Sequence, residues 1–100
     1  MTLRLVVRPA AEADITDAAL WYEARASGLG AEFLRVVDVA LAEIQRMPER
    51  FPVVHVQCRR ALLRRFLYGI YFVATAELIS VVACVHARRD PRGWEERVGE

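Results

Sequence analysis

The sequence predicts an α+β domain of order β-α-α-β-β-β, a small, mostly antiparallel sheet with a two-helix hairpin packed on one face. Three observations point there. The first half carries two stretches of helical apolar periodicity joined by a short glycine-bearing linker. The second half shifts to short runs rich in β-branched and aromatic residues. The chain has 100 residues, 55% of them hydrophobic and 27% charged, which suits a single domain over residues 1–100 with one core.

Leu3-Arg4-Leu5-Val6-Val7 reads as a short strand that ends before Pro9. Pro9 suits the first turn of a helix, where its missing N–H is not needed. Ala11, Ile15, Ala18, Ala19 and Tyr22 then recur at helical spacing, with Glu12, Asp14 and Asp17 near the positive end of the helix dipole. Ser27-Gly28-Leu29-Gly30 stops that helix. A second stripe of Phe33, Val36, Val37, Ala40, Leu41, Ile44 and Met47 lies opposite Glu32, Arg35, Asp38 and Glu43, and Met47-Pro48 ends it. So short a linker predicts an antiparallel helical hairpin.

The sheet follows. Arg59 to Arg65 (RRALLRR) has an apolar centre bracketed by arginines, as expected near a sheet edge. Tyr68 to Val73 (YGIYFV) is a second strand. After a turn near Thr75–Glu77, the unbroken apolar run Leu78 to Val85 predicts a central strand covered on both faces.

Composition narrows the function classes. The longest apolar run is far short of the ~20 residues of a membrane-spanning helix, and the N-terminus lacks a signal-peptide pattern. A cytoplasmic protein with no membrane partner is the expectation. Cys58 and Cys84 have no metal or redox spacing, and His55 and His86 lack a third ligand, so neither a metal nor a cofactor is expected. The net charge of +1 hides an asymmetry: −2 over residues 1–50 and +3 over residues 51–100. All basic side chains are arginine.

In an antiparallel meander, the end of the first strand (Arg64, Arg65) lies at the same sheet end as the end of the third (His86 to Arg89). That rim would gather guanidinium groups, which grip phosphate in a bidentate fork, around a histidine able to move a proton near neutral pH. Strand alternation would place His86 and Arg88 on one face and Arg89 on the other. Trp94 could stack on an unpaired base. Equally, arginines at strand ends keep sheets soluble, and could pair with Asp90, Glu95 or Glu96. Trp21 either packs beside Tyr22 or, if exposed, offers a contact for a partner peptide.

Several motifs in one order carry a family likeness. Ala11-Glu12-Ala13-Asp14-Ile15 follows a strand and a proline, then comes Trp21-Tyr22-Glu23. The second helix opens Gly30-Ala31-Glu32-Phe33, RRALLRRF leads into Tyr68-Gly69-Ile70-Tyr71, and the last strand ends in VHARRDP. Over residues 3 to about 97 this pattern resembles the RelE/ParE superfamily of bacterial type II toxin–antitoxin toxins. The resemblance implies a RelE/ParE-like fold and a toxin that arrests growth when released from a cognate antitoxin encoded nearby, as in plasmid stabilization. It also implies one of two modes of action. ParE-like members inhibit DNA gyrase without catalysis. RelE-like members cut mRNA on the ribosome without a metal, in which case His86 and Arg88 would be catalytic, with Arg64, Arg65, Arg89 and Trp94 contacting phosphate or target. Trp21 would meet the antitoxin.

This chain leans towards ParE. Nuclease members tend to carry an arginine where Gly69 stands, and Trp94 cannot do the proton chemistry of a tyrosine. A net charge of +1 is also low for ribosome binding. A third expectation within the resemblance is a non-toxic member acting only in complex formation.

Overall fold

The computed structural model describes residues 3–99. Strand β1 (Arg4–Val7) leads into helices α1 (Pro9–Arg25) and α2 (Leu29–Arg46). After a 3-10 turn at Pro48–Arg50 come β2 (Val53–His55), β3 (Cys58–Leu62), β4 (Tyr68–Ala74), β5 (Leu78–His86) and a one-turn helix, α3 (Arg92–Glu95). The five strands form one sheet in the order β1-β5-β4-β3-β2. Only β1 pairs in parallel, with β5; the other neighbours are antiparallel. The expected α+β architecture is the one observed. Among the described residues, no helix is long and apolar enough to cross a membrane.

The hairpin depends on a close approach of two backbones. Gly28 adopts φ 87° just before α2, a left-handed conformation that favours glycine. The Glu23 carboxylate accepts the amides of Gly28 and Gly30, both at 2.9 Å, which ties the end of α1 to the start of α2. Those two bonds hold the Glu23 carboxyl below its ordinary value. A Cβ at Gly30 would stand 2.5 Å from the Ala19 carbonyl oxygen, so only glycine lets the helices meet here. Beside this contact, Tyr22, Phe33, Phe66 and Tyr68 form an aromatic cluster, with ring centroids of adjacent pairs 4.6–6.0 Å apart.

The sheet is covered on both faces. Ile70, Phe72, Ile79, Val81 and Cys84 pack under the hairpin with Ala18, Phe33, Val37 and Ile44. On the other face, Cys58, Tyr71, Val73, Val82, Ala83 and Val85 are closed off by Trp94. This double burial accounts for the unbroken apolar run in β5. It also corrects the reading of Trp94, which is buried and stacked on Tyr71 with centroids 4.2 Å apart. A ring so enclosed has no free face for a base.

One register shift decides where β5 points its last residues. Phe72 pairs with Val81 but Tyr71 pairs with Ala83, so Val82 is an extra residue in β5. Strict alternation from Val81 would turn Val85 towards the helices. The bulge instead turns Cys84 and His86 there. It sits where β1, ending opposite Val81, leaves the β5 edge without a strand partner. Side chains take over that edge. The Cys84 amide donates to Asp14 Oδ2 (3.1 Å), and Arg97 Nη1 donates to the Val82 carbonyl (3.2 Å). Asp14 and Arg97 close the circuit at 2.6 Å. Arg8 braces it by donating to Ser80 Oγ (2.7 Å) and to the Arg97 carbonyl (3.1 Å).

Two elements lie outside the expected order: β2 and α3. The first meander strand is also shorter than expected, ending at Leu62, so Arg64 and Arg65 belong to the turn before β4. That turn is bent by Phe66, whose φ of 67° puts its ring into the aromatic cluster.

The helix–helix contact makes a graded prediction. Gly30→Ala should lower unfolding stability by about 1–3 kcal/mol in urea titration, the usual cost of overpacking. Gly93→Ala, where a Cβ meets nothing within 4 Å, should leave stability nearly unchanged.

Candidate functional site

The end of β5 opens onto a groove of about 480 Å³ beneath α1. Asp14, Asp17, Ala18 and Trp21 form its helical wall, and Tyr22, Tyr68, Cys84, His86 and Arg89 complete it. Ala18 leaves room that a larger residue would fill. Tyr68 lies opposite His86 in register, and their rings meet edge to face at 5.5 Å. The Arg88 amide donates to His86 Nδ1 (3.2 Å), leaving Nε2 as the nitrogen that carries the ring proton in neutral imidazole. Burial is the main cause pushing the Tyr68 phenol up, with the Arg89 charge pulling the other way. Tyr68 is therefore a neutral donor at physiological pH.

The structure separates residues expected to lie together. The two ends do converge, since the Ala87 amide donates to the Leu67 carbonyl at 2.7 Å. Arg64 and Arg65, however, fold back onto α2. Arg65 meets Glu32 at 2.7 Å, and Arg64 approaches Glu43 at 3.7 Å. Neither lines the His86 groove. Strand geometry stops at His86, so the expected alternation fails beyond it, and Arg89 rather than Arg88 lines the groove beside the histidine. Asp90 pairs with Arg92 at 2.7 Å, and Glu95 stands 3.6 Å from His55. Trp21 is half exposed, carrying Arg25 4.2 Å from its ring centroid, and it forms the lip of this groove.

Gly69 has a structural reason. A Cβ there would meet the Tyr71 ring and hydroxyl at 3.3 Å. Gly69 shares the Tyr71 face of β4, so a side chain at this position would emerge on the Trp94 side of the sheet, away from His86.

A second groove lies away from the residues expected to be functional. It encloses about 220 Å³ between α2 and β3, lined by Val36, Val39, Ala40, Phe51, Ala61, Leu62 and Leu63, with Arg35, Glu43 and Arg64 at its rim. Strand β2 pairs only with the first residues of β3, Cys58 and Arg59, so Ala61 and Leu62 have no strand on that side. Val39 and Leu62 are 58% and 55% exposed. The available signal was Val39, an apolar residue lying off the main stripe of α2.

Among the described residues, no group of three or more His, Cys, Asp or Glu side chains could hold a metal ion. Both cysteines are free and buried. Burial pushes the Cys58 thiol up to about 11 and the Cys84 thiol up to about 12, the latter helped by the Asp14 charge.

No family model matches the chain, and no curated protein matches it. A solved structure does: a chain of the chromosomal ParDE TA system from P. aeruginosa superposes with a TM-score of 0.73. The two share one fold. The match covers 84% of this chain and 95% of that one, at 15% sequence identity. The architecture expected from the motif order is thus shared in three dimensions with a chain of that system, by a comparison in which little sequence is shared.

The thiols give a direct check on the packing of the two sheet faces, Cys84 under the helices and Cys58 under Trp94. Thiolate is the reactive form, so neither cysteine should react with Ellman's reagent at pH 8 in the folded chain, and both should react in denaturant.

Proposed function

We propose that this chain is the toxin of a type II toxin–antitoxin system and arrests growth by binding a protein target, DNA gyrase being the first to test. The fold shared with a chain of a ParDE TA system is the observation that carries the toxin reading. The composition of the rim favours a protein target over RNA. Arg64 and Arg65 are drawn to Glu43 and Glu32, Trp94 is buried, and the His86 groove also holds Asp14 and Asp17. The Asp17 carboxylate beside the histidine of the rim repels a polyanion, the charge of Asp14 being compensated by Arg97.

The cognate antitoxin has a suitable seat in the α2–β3 groove. An amphipathic segment could bury its apolar residues against Val39, Leu62 and Phe51 while pairing its charges with Arg35, Arg64 and Glu43. Trp21 stands in the other groove and is not part of this seat.

Tightly controlled induction of the chain alone should arrest growth with gyrase-dependent DNA breaks and intact mRNA. His86→Ala should preserve that arrest. Cleaved mRNA that becomes intact in His86→Ala or Arg88→Ala would identify a ribosome-dependent endonuclease instead, and unhindered growth would identify a member acting only in complex formation. Leu62→Asp, an exposed change, should leave toxicity in place and abolish rescue by the neighbouring antitoxin.

A further inference from the structure

The His86 groove has polar capacity that the fold does not use. Among the described residues, the exposed Arg89 guanidinium has no ion-pair or hydrogen-bond partner, and neither does the exposed Asp17 carboxylate. Asp14 differs, being engaged by Arg97 and the Cys84 amide. His86 is fixed through Nδ1, which leaves Nε2 as a donor. Tyr68 adds a phenol that burial keeps protonated. Three donors, one of them cationic, therefore line one end of a groove whose lip is the half-exposed ring of Trp21.

We propose that this groove binds an acidic peptide segment, with a Glu or Asp side chain received by Arg89, His86 and Tyr68 and an adjacent apolar residue laid on Trp21. The unpaired Asp17 would accept a peptide amide N–H. A cavity of about 480 Å³ lies in the range typical of small-ligand sites, enough for two or three residues. Charge selects the class of anion. A carboxylate meets the unpaired Arg89 against the single unpaired carboxylate of Asp17, whereas a phosphoryl group near −2 meets about twice that repulsion. Binding here is separate from the α2–β3 groove, and it does not require the chain to be toxic.

The probe is the dipeptide Ac-Trp-Glu-NH2, titrated into the isotope-labelled full chain and followed by NMR. The Trp21 indole N–H and the backbone amides of Arg88 and Arg89 should shift together in a saturable manner. Ac-Trp-Gln-NH2 should bind about two- to fivefold more weakly, the loss expected for an ion pair at an exposed guanidinium. Arg89→Gln should weaken the Glu peptide to a similar extent while resonances of the α2–β3 groove stay in place. Absence of shifts at millimolar peptide, equal binding of the Gln peptide, or unchanged binding in Arg89→Gln would overturn the proposal. Tighter binding of Ac-Trp-phosphoserine-NH2 than of the Glu peptide would overturn it in favour of a phosphate site.

Discussion

Where β1 ends, β5 runs on without a strand beside it, and an aspartate–arginine pair takes that strand's place. Asp14 accepts the Cys84 amide, Arg97 donates to the Val82 carbonyl, and the two side chains meet at 2.6 Å. Backbone groups left unpaired in a sheet edge are costly when buried. Here the Val82 carbonyl and the Cys84 amide are both satisfied by one ion pair that also joins α1 to the C-terminal segment. The bulge then turns Cys84 and His86 towards α1, and the groove beneath α1 follows from that turn. Without the extra residue at Val82, Val85 would face the helices and His86 the opposite side.

The same device separates two regions that could be taken for one. Facing α1, His86 at the end of β5, Tyr68 at the start of β4 and Arg89 line one groove with Asp17 and Trp21, a mixed and partly unpaired polar set. Facing α2, the turn before β4 commits its arginines to Glu32 and Glu43 and leaves an apolar cleft along β3. The aromatic cluster of Tyr22, Phe33, Phe66 and Tyr68 lies at the helix junction and ties both regions to the hairpin.

Much of this was legible in the sequence. Both helices, β4, β5 and the meeting of the two strand ends follow from apolar periodicity and meander geometry alone. The two missed elements are short: β2 has three residues and α3 four, too few for a period to register. The site residues suffered from a different cause. Pairing His86 with Arg88 assumed that strand alternation continued past His86, but the chain turns there, and Arg89 enters the groove. Trp94 looked like an exposed aromatic in a charged tail, although α3 folds it over Tyr71. The Asp14–Arg97 pair spans 83 positions, and no local pattern marks it.

The role of that pair is tested most directly by hydrogen exchange at the Cys84 amide, which has no strand partner and depends on Asp14. Its exchange should be slow in the wild-type chain, close to that of β4 amides, and should accelerate selectively in Arg97→Met and Asp14→Ala while β4 stays protected. Rapid exchange of Cys84 in the wild-type chain, or slow exchange retained in Asp14→Ala, would contradict the claim that this ion pair holds the bulge and thereby the groove.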